Sequence, residues 1–378
     1  MRIAVLSETE GAETRVAATP ETVKKYKGLG ADVSVQAGAG AKAGFPDAEF
    51  EAAGAVIAPS REDALRDSDI VLKVRRPADG ELAGVKPGAL VVAIMDPYGQ
   101  DAALKSLAEA GVAAFAMELM PRITRAQVMD VLSSQANLAG YRAVIDASAE
   151  YGRAIPMMMT AAGTVPAARV FVMGAGVAGL QAIATARRLG AVVTATDVRP
   201  AAKEQVESLG AKFIAVEDEE FRQAETAGGY AKEMSAEYRE KQAALVTSHI
   251  AKQDIVITTA LIPGRPAPRL VTRAMVESMK PGSVIVDLAV ERGGNCELSE
   301  PGEIATHNGV KIIGHHNMPG RLAATASSLY AKNLYAFVET LVDKESKALS
   351  VKWDDELVKA TCLTRDGAVV HPAFQPTA

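Results

Sequence analysis

Short apolar runs alternate with helix-forming segments along most of this chain. Over residues 1–117 the apolar runs have the length and composition of buried strands. They fall at Arg2–Leu6, Asp32–Val35, Asp69–Val74, Ala89–Met95 and Val112–Met117. The segments between them predict helices at Pro20–Leu29, Ala48–Ala53, Arg61–Arg66 and Asp101–Ala110. Strands that alternate with helices in this way are typical of a parallel sheet covered by helices.

The same alternation restarts after residue 165. Its predicted strands are Val170–Met173, Val192–Thr196, Lys212–Val216, Asp254–Thr259, Ser283–Leu288 and Val310–Ile313. Two long helical patterns, Thr124–Tyr151 and Ala323–Val342, lead from the first unit to the second and back. The sequence therefore predicts an α/β protein with two Rossmann-like, doubly wound parallel-sheet domains, joined by long helices with a cleft between them.

The domain boundaries follow from these elements. Residues 1–125 and 340–378 would form an N-terminal domain that the C-terminal segment completes. Residues 126–150 and 323–342 would be the bridging helices, and residues 151–322 the second domain. Along the first bridging helix, polar residues such as Ser134 and Asn137 recur at helical spacing. That stripe fits either a solvated face or a face that lines the cleft.

A glycine-rich turn in the second domain carries the clearest chemical signal. Gly174, Gly176 and Gly179 have the G-x-G-x-x-G spacing between a predicted strand and a predicted helix, with Val177 and Ala178 inside the motif. Such glycines allow a tight turn, close approach of backbone N–H groups to a pyrophosphate, and close packing of helix on strand. The helix N-terminus also favours phosphate. The segment therefore predicts a dinucleotide site in the 151–322 domain.

The acid at the end of the next strand indicates which dinucleotide binds. Asp197 lies where a carboxylate accepts both ribose hydroxyls, and it would repel a 2′-phosphate, so NAD(H) is favoured over NADP(H). Val198 and Arg199 follow it. Arg199 would reach a 2′-phosphate, cover the adenine face or stay solvated. FAD is the weaker alternative, because FAD domains usually start at the chain N-terminus and this one starts near residue 165.

Composition narrows the class of protein. The 378 residues are 48% hydrophobic and 23% charged with a net charge of −5, which predicts a soluble protein that does not bind nucleic acid. Cys296 and Cys362 lack metal-ligand spacing, and His315 and His316 would point to opposite faces of a strand end, so we expect no metal site. Two cysteines and no signal peptide favour a cytoplasmic location.

A long polar insertion separates the predicted strands that end at Val216 and begin at Asp254. Its second half predicts a helix at Glu233–Ala251, and Gly228–Tyr230 precedes that helix. The glycine-rich segment is either a surface loop or a lid that closes over bound nucleotide with Tyr230 as its contact.

Four segments of the sequence resemble one known family. They read SETEGAETRVAATPETV, PRITRAQVMDVLSSQANLAGYRAV, MMMTAAGTVPAARVFVMGAGVAGLQAIATARRLGAVVTATDVRP and VIVDLAVERGGNCELSEPGE. They are similar to the NAD(H)-binding domain, the soluble alpha subunit, of proton-translocating nicotinamide nucleotide transhydrogenase. The similarity runs from residue 1 to about residue 345. Alanine dehydrogenase is a relative with the same two-domain fold.

The resemblance implies a reaction and a set of partners. Hydride would pass directly between NAD(H) on this chain and NADP(H) on a domain of a beta subunit, and a membrane-spanning proton-channel domain would couple this transfer to proton movement. The chain would be a homodimer, active only with its partner subunits, which would hold it at the inner face of the cytoplasmic membrane. Transfer between two nicotinamide rings needs no general acid or base, so the protein supplies position.

The resemblance also implies roles for particular residues. Arg122 and Ser133 would hold the nicotinamide carboxamide, with Ser134 as the alternative to Ser133. Asp130 would orient Arg122, and Gln127 would reach the nicotinamide ribose and bridge towards the partner's nucleotide. Gln127 and Asp130 would lie in the first turn of the long helix. The further contacts that the family match implies are Tyr230 and Met234 in a mobile loop, and Asn317 and Met318 beside the nicotinamide ribose.

Two other functions remain as alternatives. Arg15 and Lys73 match residues that bind pyruvate in alanine dehydrogenase, but the segment where that relative carries its acid–base histidine reads MDPYGQ, after the strand that ends at Met95. Keto-acid reduction would lack its proton donor, so we interpret Arg15 and Lys73 as structural ion-pair members. The third hypothesis is a non-catalytic NAD(H)-binding redox sensor, which would not need a bridging residue such as Gln127.

The tail predicts one more element. Within Lys359–Pro372, Asp366 and Gly367 lie between short β-prone runs and predict a hairpin. We expect this hairpin to project as an arm of the homodimer interface.

Overall fold

The strands of the sheets are short and are numbered in chain order. The computed structural model describes residues 1–223 and 234–375. Its strands are β1 Arg2–Val5, β2 Asp32–Gln36, β3 Val56–Ala58, β4 Ile70–Arg75, β5 Leu90–Ile94, β6 Ala113–Ala116, β7 Met158–Thr160, β8 Gly163–Val165, β9 Arg169–Met173, β10 Val192–Thr196, β11 Lys212–Phe213, β12 Ile255–Thr258, β13 Val284–Asp287, β14 Ile304–His307, β15 Val310–Ile313, β16 Cys362–Arg365 and β17 Ala368–Val369.

Helices connect most of these strands. They are α1 Pro20–Gly28, α2 Asp47–Ala52, α3 Arg61–Leu65, α4 Asp101–Glu109, α5 Val131–Glu150, α6 Val177–Arg188, α7 Ala202–Ser208, α8 Glu219–Arg222, α9 Ala236–Ile250, α10 Arg273–Ser278, α11 Ala323–Thr340 and α12 Glu356–Thr361. Short 3₁₀ helices occur at Ala41–Ala43, Met117–Leu119, Thr124–Met129, Val290–Arg292 and Met318–Leu322. Within residues 1–223 and 234–375, none of the helices combines the length and the apolar character that a membrane span requires.

The first compact unit comprises Met1–Gln135 and Pro319–Ala378. Its sheet has the order β17-β16-β6-β5-β4-β1-β2-β3, in which β1 to β6 are parallel and β16 is antiparallel to β6. Alternate residues of β1 face opposite sides, so Ile3 and Val5 lie in one buried cluster and Ala4 in another. The strand order turns back at β1 and β4, so their carboxyl ends flank the point where such sheets usually bind ligands.

The second compact unit comprises Ala136–Met318. Its sheet has the order β11-β10-β9-β12-β13-β15-β14, parallel except for β14, and its order turns back between β9 and β12. Val170 and Val172 contribute to one buried cluster, and Phe171 and Met173 to the cluster on the other face. The predicted α/β class, with a doubly wound sheet in each of two units, is confirmed.

Most predicted strands and helices are confirmed to within one or two residues, but several short elements were missed. No helix was predicted at α7, α8, α10 or α12. The omitted strands are β3, β14 and the hairpin of β7 and β8. They lack a long apolar run, because they lie at sheet edges or, in the hairpin, expose every residue except Val165. The strand predicted at Lys212–Val216 is also shorter, at Lys212–Phe213.

The predicted continuous helix over Thr124–Tyr151 is wrong. Residues Thr124–Met129 form a 3₁₀ helix, and α5 begins only at Val131. Asp130 between them has an extended ψ of 92°, and its carboxylate accepts hydrogen bonds from the backbone N–H of Ser133 at 2.9 Å and from its hydroxyl at 2.6 Å. An aspartate that satisfies a first-turn N–H caps a helix, so Gln127 and Asp130 precede the α-helix.

The tail hairpin is confirmed, but it does not project. Asp366 and Gly367 have φ of 51° and 77°, as a two-residue hairpin turn requires. The strand that precedes the turn, β16, pairs with β6, and Leu363 and Thr364 are fully buried. The expected projection is therefore wrong, because this hairpin completes the edge of the sheet in the first unit.

A buried group of charges fills the carboxyl edge of that sheet. Arg15 donates to both carboxylate oxygens of Glu13, at 2.8 and 2.7 Å, and Lys73 donates to Glu81 at 2.5 Å. Glu8, which follows β1, accepts from the backbone N–H groups of Val74 and Arg75 and lies 3.7 Å from the Lys73 ammonium. The side chains of Glu8, Glu13, Arg15, Lys73 and Glu81 are all less than 5% exposed.

The surroundings of these carboxylates move their pKa values in opposite directions. Burial raises the pKa of Glu8 to about 7, although the charge of Lys73 and the Val74 N–H lower it. Burial also acts to raise the pKa of Glu13. The hydrogen bonds and charge of Arg15, together with the charge of Arg75, outweigh this effect and lower the pKa of Glu13 to about 2. The native chain therefore takes up a proton at Glu8 in a range where the unfolded chain has released it.

We predict a pH-dependent stability that Glu8→Gln removes. Because the pKa of Glu8 is about 7 in the folded chain against 4.5 for an ordinary glutamate, its contribution to the free energy of unfolding is full below pH 4.5 and falls as pH rises towards 7. The wild type should thereby lose on the order of 2–3 kcal/mol. Urea denaturation of both proteins from pH 4.5 to pH 8 measures this difference.

Glu10→Gln, at an exposed position of the same loop, serves as the control and should follow the wild type. Parallel stability profiles for Glu8→Gln and the wild type would show that Glu8 does not titrate in this range.

Candidate functional site

The turn between β9 and α6 brings helix and strand into direct contact. Gly174 has a φ of 105°, and a Cβ there would collide with the hydroxyl of Thr259. A Cβ at Gly179 would collide with the carbonyl oxygen of Gly174. Gly174 is thus required by the backbone conformation of a tight turn and Gly179 by the close packing of helix on strand, as the sequence predicted.

The middle glycine faces open space. A Cβ at Gly176 would meet nothing within 4 Å, and no side-chain cap is formed at this residue, which precedes the first residue of α6, Val177. The first N–H groups of a helix carry partial positive charge and lack intrahelical acceptors. The geometry therefore leaves room beside Gly176 for an anionic group such as a pyrophosphate.

Asp197 ties the end of β10 to this turn. Its carboxylate accepts a hydrogen bond from the N–H of Ala175 at 2.7 Å and three from Arg199: from the backbone N–H and Nε at 2.9 Å and from Nη2 at 3.0 Å. The Asp197 side chain is 7% exposed and that of Arg199 is 34% exposed, while Val198 is exposed. Arg199 is therefore an ion-pair partner of Asp197, and the hypothesis that it is simply solvated is wrong.

Residues 122–133, called the bridge segment here, lie in the first unit. Arg122 and Gln127 are exposed, and Asp130 and Ser133 are half-buried. Asp130 was expected to orient Arg122, but in the structure its hydrogen bonds go to Ser133, because it caps α5. The structure thus joins Asp130 to Ser133, with Gln127 on the preceding 3₁₀ helix.

The two serines that the sequence left as alternatives have different hydrogen-bond partners. Ser134 donates to the side-chain oxygen of Asn333 on α11 at 2.7 Å, and Asn333 also donates to the carbonyl of Val128 at 2.8 Å. Ser133 instead faces Asp130. Ser133 therefore hydrogen-bonds to the residue that precedes α5, whereas Ser134 joins α5 to α11.

The remaining predicted contacts have different surroundings. Asn317 has a φ of 45° and is 4% exposed. Met318 belongs to the buried core of the second unit, and Met234 packs against that core. Tyr230, the expected lid contact, lies outside the described residues.

Sequence reasoning missed three polar residues at the carboxyl edge of the second sheet. Thr259, which follows β12, donates to the Gly174 carbonyl at 3.1 Å. Buried Asp287, at the end of β13, accepts from Cys296 N–H and from the Ser299 hydroxyl. Asn295 is also fully buried and hydrogen-bonded on both sides of its amide. For Thr259 and Asp287, the position at the carboxyl end of a buried strand was the available signal. Asn295 lies beyond the 3₁₀ helix Val290–Arg292 that follows β13, so it carried no such signal.

Arg15 and Lys73 are structural ion-pair members, as interpreted from the sequence. Besides Glu13, Arg15 donates to the side-chain oxygen of Gln135 at 2.8 Å, and Lys73 is held by Glu81. After β5, where the dehydrogenase histidine was sought, Glu118 accepts the N–H groups of Met95 and Asp96. Over the described ranges, no group of three or more potential metal-ligating side chains occurs.

Comparisons with known proteins identify the family of this chain. The family models described as "Alanine dehydrogenase/PNT" match residues 4–139 with the N-terminal domain and residues 143–372 with the C-terminal domain. An NAD(P) transhydrogenase alpha subunit of Rhodospirillum rubrum is 59% identical over 379 residues, which cover 99% of each chain. The solved structure of transhydrogenase from Sinorhizobium meliloti is 64% identical, with a TM-score of 0.90 over 98% of this chain and 100% of that chain.

Similarity to the dehydrogenase branch is weaker. Alanine dehydrogenase of Halomonas elongata is 33% identical over 386 residues, which cover 99% of this chain and 95% of that protein. The chain belongs to the alanine dehydrogenase/PNT family, and it is more similar to these two transhydrogenase proteins than to this alanine dehydrogenase.

Proposed function

We propose that this chain is the NAD(H)-binding subunit of a transhydrogenase. Hydride passes directly between NAD(H) held by this chain and NADP(H) held by a domain of a beta subunit. A membrane-spanning proton-channel domain couples the transfer to proton translocation, and the partner subunits hold this chain at the inner face of the cytoplasmic membrane. The observation that carries the proposal is the glycine turn, which is open at Gly176 and tied to Asp197.

The residues of the turn suit NAD(H). We assign Gly174, Gly176, Val177, Ala178 and Gly179 to the pyrophosphate, which the backbone N–H groups at the start of α6 bind. Their apolar or absent side chains leave those N–H groups accessible.

Asp197, beside this turn, determines which adenosine ribose is accepted. Asp197 accepts the ribose hydroxyls, and Val198 and Arg199 lie beside it. The Asp197 carboxylate is held in place by hydrogen bonds from Ala175 and Arg199. Its negative charge would repel a 2′-phosphate, so the site favours a ribose with two free hydroxyls.

We assign the nicotinamide end to the bridge segment on the family resemblance. Arg122 and Ser133 bind the carboxamide, Asp130 holds Ser133, and Gln127 contacts the nicotinamide ribose and the partner's nucleotide. Tyr230, Met234, Asn317 and Met318 complete the assigned residues. NAD(H) supplies or accepts the hydride, so these side chains need only orient the ring and exclude water.

The alanine dehydrogenase alternative is disfavoured by charge pairing in the first unit. Glu13 accepts from Nε and Nη2 of Arg15 and Gln135 accepts from Nη1, and Glu81 accepts from the Lys73 ammonium. Neither cation is available to a keto acid without breaking a buried ion pair, which is strongly destabilising.

The homodimer is supported by a different hairpin from the one first expected. The β7–β8 hairpin pairs only with itself in the described chain, and Met157, Met158 and Met159 are 56%, 42% and 81% exposed. An isolated two-stranded hairpin is marginally stable in water, and exposed apolar side chains of this size favour an interface. We propose that a second copy of the chain covers this hairpin.

Asp197→Ala should weaken NADH binding by roughly 1–3 kcal/mol, because the ribose hydroxyls lose their acceptor. The variant should also raise the affinity for NADPH relative to NADH, since the charge that opposes a 2′-phosphate is gone. Equilibrium titration of NADH and NADPH fluorescence measures both. Wild-type protein that bound NADPH as tightly as NADH would contradict the cofactor assignment.

Gln127→Asn should slow hydride transfer on the order of 10²-fold with near-normal NADH affinity, because errors of about 1 Å between the reacting rings cost rate without loss of binding. Rapid mixing with the partner domain loaded with NADPH, and a spectrally distinct NAD analogue as acceptor, resolves the chemical step. Thr124→Ser, on the same 3₁₀ helix, is the control. An equally fast Gln127→Asn protein would remove the bridging role.

Met159→Asp should weaken dimerisation, because it places a charge in the apolar surface of the β7–β8 hairpin. Sedimentation velocity over a range of protein concentrations measures the change. Val56→Asp, at a position 66% exposed in the first unit, should leave the dimer unchanged. A wild-type chain that stays monomeric at high concentration, or a Met159→Asp dimer of unaltered affinity, would refute this interface.

A further inference from the structure

The 3₁₀ helix that carries Gln127 presents three different faces. Because a 3₁₀ helix has three residues per turn, residues three apart lie on the same face. Ala126 and Met129 share one face and are 1% and 4% exposed, in the apolar core of the first unit. Gln127 lies on a second face, and Arg125 and Val128 lie on the third. The direction of Gln127 therefore depends on how this helix is rotated on the core.

The internal hydrogen bonds of this helix hold it only weakly. The N–H of Ala126 donates to the Ile123 carbonyl at 3.0 Å, but the N–H of Asp130 lies 3.4 Å from the Gln127 carbonyl that accepts from it. Hydrogen bonds in 3₁₀ helices have poorer geometry than those in α-helices, and runs of more than about four residues are uncommon. This run has six residues, so its conformation depends on restraints from other elements.

Helix α11 supplies one restraint. The amide nitrogen of Asn333, which is 8% exposed, donates to the Val128 carbonyl at 2.8 Å. The side-chain oxygen of Asn333 accepts from Ser134, so Asn333 is itself held. A single hydrogen bond to the backbone sets the distance between the 3₁₀ helix and α11 and leaves the rotation of the helix to other contacts.

Arg125 supplies the second restraint, from the exposed face. Its Nη1 and Nη2 donate to the two carboxylate oxygens of Asp355 at 3.0 and 2.8 Å, and its Nε and Nη2 donate to Glu356 at 3.2 and 3.1 Å. Paired hydrogen bonds between a planar guanidinium and a carboxylate fix direction as well as distance. Arg125 thus restrains the rotation of the helix, which the bond from Asn333 does not.

The acids that hold Arg125 belong to a fixed element. Asp355 is the N-cap of α12 and accepts from the backbone N–H of Leu357 at 2.8 Å. Leu357 and Val358 are buried in the same apolar cluster as Ala126 and Met129. Helix α12 and the inner face of the 3₁₀ helix therefore share one core, and Arg125 ties the two elements together outside it.

This contact matters more for position than for stability. The side chain of Arg125 is 46% exposed, and ion pairs at such positions add little to the free energy of unfolding. Hydride transfer is far more sensitive, because errors of about 1 Å between reacting groups slow it strongly. Residues of this network can therefore be replaced in a folded chain and their effect read from the rate.

We propose that Arg125 is a positioning residue for hydride transfer. Through Asp355 and Glu356 it fixes the 3₁₀ helix to α12, and it thereby holds Gln127 in the direction that the transfer requires. The inference rests on the proposed function, in which Gln127 bridges the two nucleotides, and it assigns α12 a part in that function.

The first test truncates the arginine. Arg125→Ala should slow hydride transfer about tenfold, because the 3₁₀ helix gains rotational freedom, and should leave NADH affinity within about twofold. The rate is measured by rapid mixing of the full chain with a saturating amount of the NADPH-loaded partner subunit, with a spectrally distinct NAD analogue as acceptor. Arg66→Ala is the matched control, since Arg66 is an exposed arginine of the same unit that pairs with Asp63, and it should change neither quantity.

The second test removes the acids and leaves Arg125 in place. Asparagine still caps a helix, so Asp355→Asn combined with Glu356→Gln removes both charges and preserves the start of α12. This protein should be slowed as much as Arg125→Ala. The protein that carries all three substitutions should be no slower than either, because residues that act through one contact are not additive.

Three outcomes decide between the explanations. Unaltered hydride transfer in Arg125→Ala would overturn the proposal. A slow Arg125→Ala protein beside a normal rate in the Asp355→Asn/Glu356→Gln protein would also overturn it, because Arg125 would then act without α12. A wild-type chain that exchanged no hydride with the loaded partner would instead refute the proposed function.

Discussion

The contact between Gly179 and the carbonyl of Gly174 is the constraint on which the candidate site depends. Without side chains at these two positions, α6 approaches the end of β9 closely enough for its N-terminus to lie at the carboxyl edge of the sheet. Asp197 then secures the turn from the neighbouring strand through the N–H of Ala175. The partial positive charge of the α6 N-terminus, which suits a pyrophosphate, thereby lies at the same edge as the Asp197 carboxylate, which suits a ribose.

The two units have the same architecture, but the carboxyl edges of their sheets carry different side chains. In the first unit, the place where strand order turns back is filled by Glu8, which accepts from Val74 and Arg75, and by ion pairs of Arg15 and Lys73. In the second unit, the corresponding place is open beside Gly176. Function therefore follows from the side chains at the edge and not from the fold.

The proposed reaction suits a site without an acid–base pair. For hydride transfer between two nicotinamides, the protein must hold its side chains in fixed positions, and none of them has to donate or accept a proton. The structure supplies such restraints through hydrogen bonds: Asp130 to Ser133, Ser134 to Asn333, and Asn295 to the loop after β12. Each restraint joins a side chain to an element whose own position is set by packing.

The sequence by itself determined the buried strands, the glycine turn, the helix that follows it and the tail hairpin, because each depends on a local pattern of apolar residues or on the backbone freedom of a few positions. Only the tertiary structure decided that Asp130 divides the predicted bridging helix, since its cap and the 3₁₀ turn before it leave no periodic signal. It also decided that the tail hairpin joins β6, and that Asn295 fastens Ala260 and Pro268. These pairings link residues far apart in the chain, and a local pattern carries no information about which distant partner will satisfy a buried hydrogen bond.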